Sequence, residues 1–325
     1  MAFITEPFKP IDVDRAAKEQ YGSKAKAVAI GNHLYDWRAD VAAELNSIDM
    51  KRAVKKQYGN KYKLVALGVH KYDWKAIKLS SVEYKVVPAM IIASDRFSNI
   101  AGVRTALRLF RSVLDGIQDW YHDQLEGTTF SLLAPVIVRS EHSSTWWNNK
   151  SNITAQTGHR YDLYDEAKKA YLAELGAPHN KMRVVISQYT GDSKDVWLGA
   201  AGDQDGPFVV VPPRATSVDC SGSGMSNFRC QDAMYAVGHE LGHTFGLRHS
   251  CEVSATPNCS KSIMETAKPP NAILHLYEKC TLIHNPFFPA VIAMALRKAL
   301  KRKCALGELV PKKRKIAATK VRKTK

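Results

Sequence analysis

Cysteine is missing from the first 219 residues of this 325-residue chain. That absence excludes disulfide staples and thiolate metal ligands from the first two thirds of the sequence. Long apolar runs are missing too. None approaches the roughly 18 residues that would span a bilayer, so no transmembrane segment is expected. The opening Met1-Ala2-Phe3-Ile4-Thr5-Glu6-Pro7 lacks a basic start followed by an apolar stretch, so no signal peptide is read there. Acidic residues are scarce, with 31 Asp and Glu against 47 Lys and Arg, giving a formal charge of +16. The imbalance is local. Residues 297–325 hold thirteen Lys or Arg against Glu308 alone, a charge of +12, which leaves +4 for the rest. A tail of that composition is expected to be solvated and to adhere to anionic surfaces or nucleic acid. Within it, Pro311-Lys312-Lys313-Arg314-Lys315 resembles a basic nuclear-import signal.

What is present is ordinary for a globular chain: 45% hydrophobic and 24% charged residues. The length suffices for one large domain and a smaller one. All six cysteines (Cys220, Cys230, Cys251, Cys259, Cys280 and Cys304) fall in the last third. An even, clustered count suits disulfides in an exported protein, whereas a cytosolic chain would keep them as thiols. The pairing cannot be read from sequence.

The N-terminal part repeats itself. Residues 11–39 align without gaps on 48–76, and 18 of the 29 positions are identical. The shared skeleton I-D-x-x-R-A-x-K-x-Q-Y-G, then K-x-K-x-V-A-x-G-x-H-x-Y-D-W-x-A, describes two copies of one module. Each copy reads as a helix (Arg15–Gln20, Arg52–Gln57) ended by Tyr-Gly, then a strand (Ala27–Ile30, Leu64–Leu67). Farther on, Val86–Ala93 reads as a buried strand. Gly102–Glu126 reads as an amphipathic helix, because Val103, Leu107, Phe110, Leu114, Ile117 and Tyr121 share one face. Phe130–Val138, Met182–Tyr189 and Phe208–Val211 read as strands, and Tyr161–Leu175 as a helix closed by Gly176 and Pro178. Such alternation predicts a mixed α/β layer architecture. Arg160, Asp162, Trp146 and Trp147 read as loop residues without an assigned role, and His33, His70, His142 and His159 as polar side chains unconnected with metal.

The chemistry concentrates in residues 239–249, His-Glu-Leu-Gly-His-Thr-Phe-Gly-Leu-Arg-His. Four-residue spacing puts His239 and His243 on one helix face at metal-ligand distance. Met234, Val237, Leu241 and Phe245 form an apolar stripe on another side of that helix. Gly246 can take the left-handed conformation that ends the helix and turns the chain back, which brings His249 in as a third ligand. Three neutral imidazoles suit one Zn2+ and leave a coordination position for water. Glu240, beside the first ligand, is placed to accept that water's proton.

This pattern, H-E-x-x-H-x-x-G-x-x-H, resembles the signature of the metzincin zinc metallopeptidases. The resemblance implies an α/β (α+β) catalytic domain, a twisted mixed sheet with long helices. It also implies a methionine turn downstream of the third histidine, for which Ser262-Ile263-Met264-Glu265 is the candidate, with Met264 packed beneath the imidazoles. Ser250, after the third histidine, is similar to matrixins, whereas the cysteine-rich loops and the Ile-Met turn are more similar to reprolysins. Thr266 stands where astacins and serralysins carry a tyrosine ligand. Many members stay latent through an upstream cysteine on zinc, and residues 1–219 hold none. The N-terminal repeats weakly resemble small repeats of secreted actinobacterial proteins, whose cysteine positions are here Ala17, Val54, Ala39 and Ala76.

The reading is therefore a two-repeat module over 1–79, a zinc metallopeptidase domain over 80–292 and a basic tail over 293–325. The expected activity is hydrolysis of protein or peptide substrates. The competing reading is a wall- or polyanion-binding protein whose zinc site is structural or inactive. The repeats and cysteines favour an extracellular location, and the Pro311–Lys315 stretch a nuclear one.

Overall fold

The computed structural model describes residues 8–30, 36–42, 44–60, 62–67, 73–77, 84–125, 127, 129–148, 160–178, 180–191, 201–202, 206–211, 213–221, 227–253, 258–288 and 304. His33, His70, His159 and the Pro311–Lys315 stretch lie outside them.

The two repeats form a reciprocal pair. The first contributes α1 (Val13–Tyr21), β2 (Lys26–Ala29) and β3 (Trp37–Val41), and the second α2 (Met50–Tyr58), β5 (Lys63–Ala66) and β6 (Trp74–Ile77). Asp12 and Asp49 cap the two helices, accepting from Arg15 N and Arg52 N. Gly22 (φ 99°) and Gly59 (φ 85°) end them with a backbone turn that disfavours any side chain. Each copy lends its leading strand to the other. β1 (Phe8–Pro10), ahead of α1, pairs antiparallel with β6, and β4 (Glu44–Ser47), ahead of α2, pairs antiparallel with β3. The helix contacts match. Gln20 bonds Asp49 N and O at 2.8 and 2.9 Å, while Gln57 bonds Asp12 N and O at 3.0 and 2.6 Å. Sequence reading missed β1, β3, β4 and β6, because each is only three to five residues long and too short to show alternation.

The main sheet contains strands from both sides of residue 79. Among the described residues it has nine strands, in the order β1-β6-β5-β9-β7-β10-β12-β11, with β8 beside β7. Here β7 is Lys85–Ile92, β8 Ser131–Leu132, β9 Val136–Arg139, β10 Met182–Tyr189, β11 Ala201–Gly202 and β12 Phe208–Val210. The repeat joins through β5, where Ala66 sits opposite Ile137 of β9. β9, β7, β10 and β12 run parallel, and β11 is the antiparallel edge. Buried parallel strands read as continuous apolar runs, which is why Met182–Tyr189 was legible to the residue. The strand expected over Phe130–Val138 is instead split into β8 and β9 around Leu133-Ala134-Pro135. Proline has no N–H to give a ladder.

Helices cover both faces. α3 (Ile100–Gln124) and α6 (Phe228–Thr244) pack on the side of Val86, Met90, Ile92 and Val185, and α5 (Arg160–Leu175) on the side of Val87, Ala89, Ile91, Val184 and Ile186. Arg160 and Asp162 belong to α5 rather than to a loop. Trp146 and Trp147 likewise sit in a short helix, α4 (Ser144–Trp147), where Trp147 is buried and donates Nε1–H to Ser140 Oγ at 3.0 Å. α3 and α6 approach closely because Gly238 faces α3. A Cβ there would stand 2.5 Å from both Ile117 Cδ1 and Ile263 Cδ1. Gly238→Ala is therefore expected to lower stability by about 1–3 kcal/mol through overpacking, read from urea unfolding. An unchanged midpoint would mean that the interface has slack.

Candidate metal centre

α6 begins at the N-cap Asn227, whose side chain accepts from Arg229 N. It buries Met234, Val237, Leu241 and Phe245 against the core, as the apolar stripe predicts. That burial turns the opposite face of the helix, with His239 and His243, toward an open side. Arg183 on β10 donates Nε–H to Thr244 O at 2.8 Å and so holds the C-terminal end of the helix against the sheet. The turn beyond uses Gly246 at φ 87°, with Leu247 N donating to Gly242 O at 2.9 Å. α7 (Ser250–Val253) follows, and His249 comes back over α6.

The structure brings His239, His243 and His249 together. His243 Nε2 lies 3.2 Å from both His239 Nε2 and His249 Nε2. Among the described residues these three form the one His/Cys/Asp/Glu group able to hold a metal ion. The short separation between His239 and His243 is not a hydrogen bond. His239 Nδ1 donates to Ile263 O and His243 Nδ1 to Leu247 O, each at 2.9 Å, so the proton of each neutral ring is already placed. The Nε2 lone pairs of His239 and His243 therefore face one another, with His249 Nε2 beside them. A tetrahedral zinc with bonds of 2.0–2.1 Å would space its nitrogen ligands about 3.3 Å apart, so the donor set fits that ion. Burial pushes His239 down to about 4 and lowers His243 as well, with the neighbouring imidazoles adding to the effect. Both rings are thus held neutral, the form that ligates metal.

Glu240 follows His239 on α6, and its charge helps to raise the Tyr235 hydroxyl, whose main perturbation is burial. Tyr235 stacks obliquely on His239 with centroids 5.3 Å apart and donates to Glu265 O. Met264 is buried and packs against Gly242 between the two helix histidines, where a Cβ would collide with its sulfur. Its neighbour Ile263 supplies the carbonyl that orients His239. His142 stands apart, stacked on Trp146 at 3.7 Å and 3.2 Å from Glu166 Oε2.

Cysteines bind this lower region together through Cys220–Cys230, Cys251–Cys259 and Cys280–Cys304. Sequence reading missed α8 (Leu276–His284) and its Glu278, as well as Arg183 and Tyr235. Their roles come from contacts far away along the chain, which leave no spacing signal.

Residues 159–273 match the model of the metallo-peptidase family M12B, reprolysin-like. That stretch holds the three histidines and is similar to a zinc metallopeptidase domain. No curated protein matches the sequence closely enough to count as a relative. Among solved structures, the chain is similar to wild-type OgpA from Akkermansia muciniphila at 14% identity and TM-score 0.41, covering 64% of this chain and 61% of that one. It is also similar to archaemetzincin from Methanopyrus kandleri at 14% identity and TM-score 0.31, covering 68% and 97%. The chain thus spans about six tenths of OgpA's length.

In the metal-free chain the neutral histidines couple stability to pH. An unfolded histidine takes up its proton near 6.5, whereas folded His239 resists to about 4. The unfolded state therefore binds more protons between these values. The stability contribution is present above about pH 6.5 and is lost as pH falls toward about 4. Urea midpoints of the metal-free chain should drop across that window, and the drop should shrink in His239→Gln. Equal slopes in the two proteins would contradict the assigned cause.

Proposed function

We propose that the chain is a zinc endopeptidase, with His239, His243 and His249 as ligands and Glu240 as general base. The observation that carries this reading is the convergence of three Nε2 atoms, two of them on rings fixed by carbonyls behind. Bound zinc supplies Lewis acidity, lowering the pKa of a water and polarising a peptide carbonyl. Glu240 takes the proton of the attacking water and delivers it to the departing amine. Tyr235, half-buried beside His239, walls the site on the N-terminal side of the ligands. Met264 fills the space under Gly242 and keeps the two helix ligands level.

The match of residues 159–273 to a metallo-peptidase family supports protein or peptide substrates. The three disulfides support an extracellular location. The repeats, continuous with the sheet through β5, act as an extension of the catalytic body, and the basic tail serves as an anionic-surface anchor. Among the described residues no helix is long and apolar enough to cross a membrane.

Purified protein should contain one zinc per chain and hydrolyse unfolded casein. Chelation should abolish cleavage, and Glu240→Ala should reduce it by about 10²- to 10⁴-fold while keeping the zinc. Zinc without cleavage of any protein tested would favour the wall- or polyanion-binding alternative. Absence of zinc in the folded protein would remove the proposal.

A further inference from the structure

Glu278 is fully buried in α8, and among the described residues no Lys, Arg or His forms an ion pair with it. A carboxylate in such a place is expensive unless its lone pairs are occupied by donors. Here four donors converge. Oε1 accepts from Ser250 Oγ at 2.5 Å, Ser262 Oγ at 2.6 Å and Tyr277 OH at 3.1 Å, and Oε2 accepts from His275 N at 2.5 Å. Ser250 follows the third histidine directly. Ser262 accepts from Met264 N at 2.9 Å and precedes Ile263, whose carbonyl orients His239. One carboxylate therefore reaches both sides of the metal centre through a single residue each.

We propose that Glu278 is a positioning residue for the zinc centre, holding the turn that carries His249 and the turn that carries Ile263 and Met264 at a fixed separation. The inference rests on the reading of His239, His243 and His249 as zinc ligands. Glu265 reinforces the same span from the other side, since its Oε1 accepts from Cys251 N at 2.5 Å. α8 is itself anchored, because Asn285 at its C-cap donates Nδ2–H to Phe245 O at 3.0 Å, just past the helix histidines. The carboxylate is needed rather than an amide. With glutamine, one NH2 group must face either the His275 N–H or the hydroxyl cluster, so a donor opposes a donor.

The test is zinc affinity, measured by competition with a chromophoric chelator, on wild type, Glu278→Gln, Ser250→Ala, Ser262→Ala and the Ser250→Ala/Glu278→Gln double variant. Glu278→Gln should weaken zinc binding by about 10- to 100-fold, the range for groups that orient metal ligands. The double variant should lose no more than Glu278→Gln alone, because Glu278 acts through Ser250. Should Glu278→Gln fail to fold, the two serine variants carry the test, each expected to weaken zinc several-fold. Folded variants that melt at lower temperature yet keep the wild-type zinc affinity would overturn the proposal and make Glu278 a purely structural group. A wild type that binds no zinc would instead overturn the zinc reading, a failure distinguishable from this one.

Discussion

Three converging imidazole nitrogens, with His243 Nε2 held 3.2 Å from both of the others, are the constraint around which the C-terminal half is arranged. Facing lone pairs repel, and a protonated ring would answer the repulsion. Burial blocks that answer by keeping His239 and His243 neutral. The rings cannot rotate away, because Ile263 O and Leu247 O hold their far nitrogens. A cation shared by all three nitrogens satisfies the arrangement. The fold invests in this geometry at several points. Gly246 supplies the positive φ that returns the chain, Gly242 makes room for Met264, and Gly238 lets α6 lie close to α3.

Support for the centre comes from below and behind rather than from the ligands' own segment. Arg183 on the central strand β10 grips the end of α6. Tyr121 on α3 donates to Gly238 O at 2.9 Å, one residue before the first histidine. The turns bearing His249 and Met264 share the carboxylates of Glu278 and Glu265. Disulfides close the same region, Cys251–Cys259 spanning the stretch between the two turns. Loops that must hold a metal to a few tenths of an ångström need such cross-ties, because loops bury little apolar surface of their own.

The N-terminal repeats show how a duplicated module can be absorbed into a larger body. Their strands exchange reciprocally, and their helices exchange matching glutamine–aspartate bonds. Yet the copies differ in environment. Val65 of the second copy is buried beneath α5, whereas its counterpart Val28 is 36% exposed, and Ile30 and Leu45 are each 54% exposed. The second copy became part of the main sheet through β5, and the first remained a separate three-stranded sheet.

Local chemistry determined much of this in the sequence. The spacing of His239, His243 and His249 around Gly246, the buried stripe of α6, the continuous apolar run of β10 and the identity of the repeats were all legible, because helical period, strand period and glycine turns are properties of neighbouring residues. Tertiary structure alone decided the rest. The exchange of β1 and β4 depends on pairing partners far away in the chain. The disulfide partners depend on which loops meet, since six cysteines permit fifteen pairings. Glu278 reads in sequence as one acid in an unremarked helix. Only when α8 folds beneath the two turns does it become a buried carboxylate with four donors, because burial and hydrogen-bond convergence arise from the packing of distant segments and leave no period to read.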